Sequence, residues 1–476
     1  MRHFSTEQLL SEFREVVGSS NVLTDEEDVV SYISEWRRTY PGKARAVIRP
    51  ISTEEVARVV SICAQANIPL VPQGGNTGLV GGSTPDDSGL EVVLSVKPMN
   101  RVINISSLDN TITLQAGCTV LEAQNAALQI SKLFALSLAS EGTATIGGVL
   151  ATNAGGEQVI RYGNTRDLTL GLELVLADGQ VMNLLTALRK DNTGYDLKQL
   201  FIGSEGTLGV ITAATFKLHS LPQKIVTAWV AVASPSAAVS LLSMLSAQVG
   251  ERVTAFEIIN REALSQVLSH GQSGMRDPLS EDYEWAVLFD VSESSNSLDP
   301  TPLVESVLEQ AFTAELIIDA AIAKSSQQSY EFWALREHIP EAQKLEGPSI
   351  KHDISVAISK IPEFIELANR ALQNLIPEIR LVCFGHVGDG NLHYNQSIPK
   401  NMDAKDFRSF EDVIHGIVHS IAADLNGSIS AEHGIGRLKQ DDFLKYKNPV
   451  ALDVMKKIKH ALDPNNIFNP GRVLPR

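Results

Sequence analysis

This 476-residue sequence has little cysteine and fewer basic residues than acidic ones, 40 against 56. Its three cysteines, Cys63, Cys118 and Cys383, are odd in number and far apart, which excludes a disulfide framework or a cysteine-based zinc site and favours a reducing compartment. The formal net charge of −16 disfavours nucleic acids and anionic membrane surfaces as partners. Small anionic substrates are still allowed, because a pocket can be locally basic within an acidic protein.

The sequence also shows neither the residue pattern of a signal peptide nor that of a membrane-spanning segment. The N-terminal segment mixes acidic residues into a helical pattern and has no apolar core of the kind that a signal peptide needs. The uncharged stretch 225–249 is long enough to suggest a span, but Ser-Pro-Ser interrupts it. It is typical of a buried strand, a turn at Pro235 and a helix. We therefore expect a soluble protein of the cytoplasm, or of an organelle matrix.

Apolar residues are plentiful, at 43%, and the length indicates two or three domains. After a helical lead-in at 1–45, residues up to 222 show short strands interrupted by glycine loops. Residues 223–424 alternate strands with helices, which is typical of an α+β domain with helices on one face of a mostly antiparallel sheet. Residues 425–476 form a C-terminal segment. The expected fold class is α+β.

Two glycine-rich loops stand out in the first half. "VPQGGNTGLVGGSTP" (71–85) holds five glycines, and a second cluster comprises Gly142, Gly147, Gly148, Gly155, Gly156 and Gly163. Glycine lets backbone N–H groups approach an anion closely. Neither loop has the spacing of a Rossmann or P-loop motif. Any one of these glycines is more simply explained by a tight turn, but the two clusters together favour an extended cofactor with a pyrophosphate.

Two histidines bracket an Asp-Gly pair in "HVGDGNLHYN" (386–395). Asp-Gly between short apolar runs predicts a two-residue type I′ hairpin. With Asp389 and Gly390 at its tip, His386 would face His393 with Cβ atoms roughly 5 Å apart, and Asn395 would point the same way. Such a patch can be a metal site or the polar outer face of an edge hairpin.

The motifs "PQGGNTG", "EGTATIGG", "TNAGG", "YGNTRD", "GSEGTLGVIT" and "DPNNIFNPGR" occur in this order from about residue 40 to the C-terminus. Together they resemble the FAD-binding oxidoreductases of the vanillyl-alcohol-oxidase type. More closely, the chain is similar to their D-2-hydroxyacid dehydrogenase branch, with its D-lactate dehydrogenases, glycolate oxidase subunits and D-2-hydroxyglutarate dehydrogenases. The resemblance implies a two-part FAD-binding domain of the PCMH type at 1–222, a substrate or cap domain at 223–424 and a helical segment at 425–476 that returns to the flavin.

The resemblance also implies a set of cofactor-binding residues. The loop from Pro72 to Gly78 would wrap the pyrophosphate, and residues of the second glycine cluster would run beside the flavin. Asn76 stands where some relatives attach FAD through a histidine, so a noncovalent FAD is expected. The full predicted set is Pro72, Gly74, Gly75, Asn76, Thr77, Gly78, Glu141, Gly142, Thr143, Gly147, Gly148, Asn153, Gly155, Glu205, Gly206, Thr207, Gly209, Val210, Ile211 and Asn469.

The same resemblance assigns roles in the second half of the chain. Two imidazoles and a carboxylate suit a catalytic Zn²⁺, with Mn²⁺ or Fe²⁺ as alternatives. "SAEHGIGRLK" (430–439) supplies the carboxylate and an adjacent histidine. The implied metal ligands are His386, His393 and Glu432, the implied catalytic base is His433, and the implied substrate-binding residues are Arg336, Lys351 and Asn395.

The implied activity is FAD-dependent, metal-assisted oxidation of a D-2-hydroxy acid, with D-2-hydroxyglutarate as the best substrate. Lys351 favours a dicarboxylate, since lactate-type relatives tend to lack a lysine there. Pro340 replaces a threonine that is frequent in that branch, which leaves D-malate open, as well as D-lactate or glycolate. A non-catalytic flavin subunit of an iron–sulfur oxidase is the alternative of another class. The expected electron acceptor is an electron-transfer flavoprotein or a quinone, and a homodimer is possible.

Overall fold

The chain divides into two units in this computed structural model, which describes residues 5–35, 41–271 and 274–476. The first unit comprises residues 1–156, 163–221 and 432–476, and the second comprises residues 157–162 and 222–431. Because these units describe packing alone, the functional domains predicted above remain predictions.

Short elements dominate the chain up to residue 221. The helices there are α1 Thr6–Val17, α2 Glu26–Ile33, α3 Thr53–Ala66, α4 Val120–Gln129, α5 Ile146–Thr152, α6 Val159–Tyr162, α7 Thr165–Leu168 and α8 Lys198–Phe201. The strands there are β1 Val22–Leu23, β2 Ala46–Ile48, β3 Leu70–Gln73, β4 Val92–Ser95, β5 Val102–Ser106, β6 Thr111–Gln115, β7 Lys132–Leu133, β8 Thr169–Val175, β9 Val181–Leu184, β10 Val210–Lys217 and β11 His219–Ser220.

Longer strands and helices alternate after residue 221. The strands are β12 Lys224–Val232, β13 Val253–Asn260, β14 Trp285–Glu293, β15 Ile317–Ile322, β16 Ser349–Ile350, β17 Asp353–Ser355, β18 Arg380–His386 and β19 Asn391–Ser397. The helices are α9 Pro235–Val249, α10 Arg261–His270, α11 Thr301–Thr313, α12 Ser326–Glu337, α13 Ile339–Glu346, α14 Ile361–Leu375, α15 Ala404–Ser409, α16 Glu411–Asp424, α17 Gln440–Tyr446 and α18 Pro449–Leu462.

The first unit is built on two larger sheets. In the order β1-β2-β4-β3, the strands β2, β4 and β3 are parallel, and β1 pairs with β2 antiparallel. Every residue of β2 and β4 is buried, as parallel strands covered on both faces require. The second sheet, in the order β5-β6-β10-β8-β9, is antiparallel. The remaining pair of strands is β7 and β11.

An eight-stranded antiparallel sheet organises the second unit, in the order β15-β12-β14-β13-β18-β19-β16, with β17 also pairing with β19. Helices cover both of its faces, so the expectation of helices on one face is wrong. α9, α11, α14 and α16 contribute to the core on one face, and α10, α12 and α13 to the core on the other. The sequence of β12, apolar at nearly every position, is the physical reason, since each face of that strand needs a cover.

The stretch 225–249 folds as predicted, as most of β12, a turn and α9, whose first residue is Pro235. Ser234 is the N-cap of α9, and its side chain accepts a hydrogen bond from the backbone of Ala237. Among the described residues, no helix is long and apolar enough to cross a membrane.

Candidate active site

The two glycine clusters of the sequence pack directly against each other in the first unit. A Cβ atom added at Gly75 would lie 2.1 Å from the carbonyl oxygen of Thr143, and one added at Gly74 would lie 2.2 Å from Thr145 Oγ1. Side chains larger than a hydrogen atom therefore do not fit at these two positions. The close approach brings the predicted pyrophosphate loop beside the segment predicted to run along the flavin.

Other glycines of the same two loops face open space. No atom lies within 4 Å of a Cβ added at Gly142, and the nearest atom at Gly78 is Ser83 Oγ at 3.9 Å. Backbone that is this open, next to backbone that is tightly packed, forms a cradle in which N–H groups can meet an anionic ligand. The first unit thus fits a cofactor with a pyrophosphate, such as FAD.

Two predicted cofactor residues, Asn76 and Asn469, hold the loops of this cradle in place with side-chain hydrogen bonds. Asn76 has a φ of 59°, and its Nδ2 donates to the carbonyl oxygen of Ser34 at 2.9 Å. Asn469 Nδ2 donates to the carbonyl oxygens of Gly82 and Glu205 at 3.0 and 2.7 Å. These bonds join segments that are far apart in sequence, which gives both asparagines a positioning role.

Glu205 accepts two backbone hydrogen bonds with its carboxylate, from Ile435 and Gly436, each at 2.8 Å. Burial raises the pKa of Glu205, and these N–H donors oppose the rise. The carboxylate therefore holds the segment after residue 434 against the loop at 205. Sequence analysis expected Glu205 to contact the cofactor, and the structure gives it a backbone partner as well.

The remaining predicted cofactor residues lie in the same unit. Pro72 is in β3, Gly147 and Gly148 are in α5, Asn153 is the C-cap of α5, and Val210 and Ile211 begin β10. Loops carry the others, which are Thr77, Glu141, Thr143, Gly155, Gly206, Thr207 and Gly209. Their contact with a cofactor remains a prediction.

The histidine hairpin has a different turn from the predicted one. Phe384, not His386, is the partner of His393, and residues 387–389 form a 3-10 turn followed by Gly390 with a φ of 85°. The prediction of a two-residue type I′ turn is therefore wrong. The pairing differs by two residues, which preserves the face of each side chain. His386 and His393 still share a face, with ring centroids 5.9 Å apart.

The predicted metal ligands and the predicted base are divided between the units. His386 and His393 lie in the second unit, whereas Glu432 and His433 belong to the C-terminal segment of the first. Glu432 directly follows Ala431, whose backbone N–H donates to the carbonyl oxygen of Asp353 at 3.2 Å. The donor set of two imidazoles and a carboxylate fits a catalytic zinc-type site.

A buried ion pair supports His386, and sequence analysis missed half of it. Glu257, on β13, is the strand partner of His386, and its carboxylate contacts His386 Nδ1. Its other oxygen accepts from Arg336 Nε at 2.6 Å. A carboxylate on one ring nitrogen of a histidine is the usual support for a metal bond at the other. The signal in the sequence was a single carboxylate inside the apolar strand "VTAFEII".

Neighbouring groups compensate the charge of the buried Glu257 carboxylate. Burial raises the pKa of Glu257, but Arg336 and His386 outweigh burial, and the pKa falls to about 2. Burial raises the pKa of Glu157, on the segment before α6, to about 7, with Arg336 opposing and Glu257 adding to the rise. Groups with shifted pKa values cluster at functional sites, and sequence analysis missed Glu157 too.

The predicted substrate residues lie on the same unit, each in its own surroundings. Arg336 is buried, bonded to Glu257 and stacked over Phe384, with its guanidinium carbon 4.7 Å from the ring centroid. Asn395 Nδ2 donates to Gln343 Oε1 at 2.8 Å, and its Oδ1 accepts from the backbone of His352 at 3.0 Å. Lys351 precedes His352 and is half-buried. Asn395 therefore fixes the backbone that follows Lys351.

Comparisons with known proteins identify the family and the fold of the chain. Residues 44–185 match a family described as an FAD binding domain, and residues 221–473 match the C-terminal domain of FAD linked oxidases. Among solved structures, p-cresol methylhydroxylase is 17% identical with a TM-score of 0.76, covering 98% of this chain and 97% of that one. The 4-ethylphenol oxidase of Gulosibacter chungangensis has a TM-score of 0.74 at 19% identity, covering 99% and 97%. The chain shares their PCMH-type fold.

Curated relatives are considerably more similar in sequence. The mitochondrial D-2-hydroxyglutarate dehydrogenase of Rattus norvegicus is 38% identical over 99% of this chain and 86% of its own length. The D-2-hydroxyglutarate dehydrogenase of Xanthomonas citri is 34% identical over 98% of this chain and 97% of its own length. The chain therefore belongs to the family of FAD-dependent oxidoreductases that includes the D-2-hydroxyglutarate dehydrogenases.

Proposed function

We propose that this protein oxidises a D-2-hydroxy acid to the 2-oxo acid, with D-2-hydroxyglutarate as its preferred substrate and with a divalent metal at His386, His393 and Glu432. The observation that carries the proposal is the buried Glu257, which supports His386 beside His393 in a chain with an FAD-binding domain. The relatives named above are D-2-hydroxyglutarate dehydrogenases, which supports the choice of substrate.

Bound FAD would accept the hydride from the substrate Cα, and a bound metal would lower the pKa of the substrate hydroxyl. Within the chain, His433 is the proposed base, since a neutral imidazole can take a proton near neutral pH. His386 presents Nδ1 to Glu257, so a metal would bind through Nε2. The buried ion pair of Glu257 and Arg336 keeps this arrangement rigid.

Two cations support a dicarboxylate as the substrate. Arg336 can recognise a carboxylate with its planar guanidinium, and Lys351 would meet the second carboxylate as a point charge. Asn395 restrains Lys351 through the adjacent backbone of His352. Pro340 lies at the second position of α13, where its missing N–H costs nothing, and it has no hydroxyl to offer a substrate. For that reason D-malate is the second candidate, ahead of D-lactate and glycolate.

Turnover with an artificial electron acceptor tests the reaction and the metal together. The panel contains D- and L-isomers of 2-hydroxyglutarate, malate and lactate, each measured before and after treatment with a chelator. We expect the fastest turnover with D-2-hydroxyglutarate, its loss on chelation with the flavin absorbance unchanged, and its return with Zn²⁺ or Mn²⁺. Full activity after complete removal of metal would contradict the metal assignment, and no turnover of any 2-hydroxy acid would contradict the function.

Lys351→Ala tests the dicarboxylate assignment separately. The variant should raise the KM for D-2-hydroxyglutarate far more than the KM for D-lactate, because only the first substrate has a second carboxylate. Lys400→Ala, which removes an exposed lysine, is the matched control and should change neither value. Equal effects of Lys351→Ala on both substrates would rule out the dicarboxylate role.

The physiological acceptor, an electron-transfer flavoprotein or a quinone, is testable by the same assay with each acceptor in turn.

A further inference from the structure

A second cluster of three histidines lies in the second unit, formed by residues with no part in the proposed reaction. His415 and His419 are one turn apart on α16, and His352 lies between β16 and β17. Each offers a ring nitrogen, and these nitrogens lie within 4.8 Å of one another. The ring centroids are 4.7 to 5.6 Å apart. We call His352, His415 and His419 the α16 histidine cluster.

The orientation of two of these rings matches that of metal ligands. His352 Nδ1 is 3.0 Å from the carbonyl oxygen of Tyr394, which can only accept, so Nδ1 carries the hydrogen and Nε2 presents a lone pair. That Nε2 is 2.8 Å from His415 Nδ1, and His415 Nε2 faces Glu411 Oε1 at 3.8 Å. Histidines that bind metals usually turn their other nitrogen to a carbonyl or a carboxylate, as both of these do.

The α16 histidine cluster lies mostly in apolar surroundings. His352 and His419 are only 2% and 3% exposed, and their neighbours on α16, Ile414 and Val418, are part of the apolar core. Neutral nitrogen donors suit Zn²⁺, Ni²⁺ or Cu²⁺, whereas Mg²⁺ and Ca²⁺ require oxygen ligands. The side chain of His415 is 27% exposed, which gives a cation a route to the cluster.

One nitrogen–nitrogen distance in the cluster is close to the value for tetrahedral coordination. Two nitrogens bound to Zn²⁺ at 2.0–2.1 Å are about 3.3 Å apart. The separation of 2.8 Å between His352 Nε2 and His415 Nδ1 therefore needs to open by about half an ångström. Rotation of the part-exposed His415 ring can supply this change without disturbing the buried pair.

We propose that the α16 histidine cluster binds one Zn²⁺ ion through His352, His415 and His419, with a solvent molecule in the fourth position beside His415. The ion would fasten α16 to the connection between β16 and β17, because His352 belongs to that connection and the other two ligands belong to the helix. Lys351 directly precedes His352, so the ion has a structural, positioning role next to a proposed substrate residue. Its existence does not depend on the proposed reaction.

Metal binding to the full chain with FAD tests this site once the other histidine cluster has been removed. In the His386→Ala/His393→Ala double variant, titration with Co²⁺ should give about one bound equivalent per chain, with absorption bands beyond those of the flavin, and Zn²⁺ should displace it. Adding His419→Phe, which keeps an aromatic ring in the buried position, should abolish the bands. Adding His460→Ala instead, at an exposed position of α18, should leave them unchanged.

Removing His415 provides an independent check if a buried substitution prevents folding. In otherwise wild-type protein, His415→Ala should lower the Zn²⁺ content measured by elemental analysis by about one equivalent per chain, with the flavin absorbance and the far-UV circular dichroism unchanged. Absence of Co²⁺ binding in the folded double variant would overturn the proposal and leave the cluster as a hydrogen-bonded trio. Binding that survives both His419→Phe and His415→Ala would overturn it equally.

Discussion

The first unit builds its candidate site from backbone groups, whereas the second unit builds its candidate site from side chains. The first unit uses backbone: Gly74 and Gly75 allow two loops to touch, and Gly78 and Gly142 leave N–H groups open to a ligand. The second unit uses side chains on one face of a sheet, where Glu257 supports His386 and pairs with Arg336. The first site depends on the absence of a Cβ atom in glycine. The second site depends on buried charges that compensate each other.

This difference implies different responses to mutation. A backbone cradle fails when an added atom blocks a close approach, and the failure should affect the flavin. A buried set of charges fails when one member is neutralised, because its partner then remains buried without compensation. The failure should affect the metal and turnover, while the flavin stays bound.

His393→Ala should have the largest effect, because it removes one imidazole of the proposed metal site. We expect turnover to fall roughly 10³-fold, since metal stabilisation of a developing charge contributes several kcal/mol. The flavin content, measured by absorbance, should not change. His460→Ala, an exposed substitution on α18, is the control for loss of a histidine. Loss of FAD together with turnover would break the comparison between the two units.

Glu257→Gln should have the next largest effect. The variant keeps the shape of the side chain but removes the charge that supports His386 and compensates Arg336. Loss of such a support typically weakens metal binding by about 10–100-fold. Metal affinity is measured by competition with a chelator, and Glu363→Gln, in the exposed ion pair with Lys360, is the control. Unchanged metal affinity would show that Glu257 serves Arg336 alone.

The sequence predicted the backbone site more completely than the side-chain site. Glycine loops are contiguous motifs, so "VPQGGNTG" could be recognised without knowing the fold, and the second cluster then proved to be its neighbour. Glu257 becomes a partner of His386 only through the pairing of β13 with β18, 129 positions apart along the chain. A partner that depends on strand order cannot be read from spacing.

The histidine hairpin shows the limit of local turn rules. Asp-Gly correctly predicted a reversal of the chain, but three residues of 3-10 turn replaced the two-residue type I′ turn. The shared face of His386 and His393 survived because the error was two residues, the period of a strand. The two-sided cover of the eight-stranded sheet was missed in a similar way, although the continuous apolar sequence of β12 indicated it.

Gly75→Ala should damage the first unit alone. The new Cβ would lie 2.1 Å from the carbonyl oxygen of Thr143, so one of the two loops must move. Overpacking of this kind costs about 1–3 kcal/mol, and we expect a matching loss of FAD affinity, measured by flavin release on dilution. Gly416→Ala is the control, because a Cβ there has no atom within 4 Å. Metal affinity of the second unit should be the same in both variants.

Asp290→Asn should have the smallest effect, and it sharpens the contrast between compensated and uncompensated carboxylates. Asp290 is on β14, next to the strand of Glu257, but its partners are the neutral donors Thr227 and Trp333. Burial raises its pKa to about 6, whereas Arg336 holds the pKa of Glu257 low. A raised carboxyl pKa means that the folded state binds the proton more tightly, so this contribution to stability is lost as the pH rises through about 6.

The wild type should therefore lose about 1 kcal/mol of stability from this group between about pH 5 and about pH 8, measured by urea unfolding. Asparagine resembles the protonated acid, because its Nδ2 can donate to Thr227 Oγ1 while its Oδ1 accepts from Trp333. In Asp290→Asn that part of the pH dependence should vanish, with the variant more stable than the wild type at the higher pH. An unchanged pH dependence would mean that Asp290 stays ionised, and that hydroxyl and indole donors can compensate a buried carboxylate as well as Arg336 does.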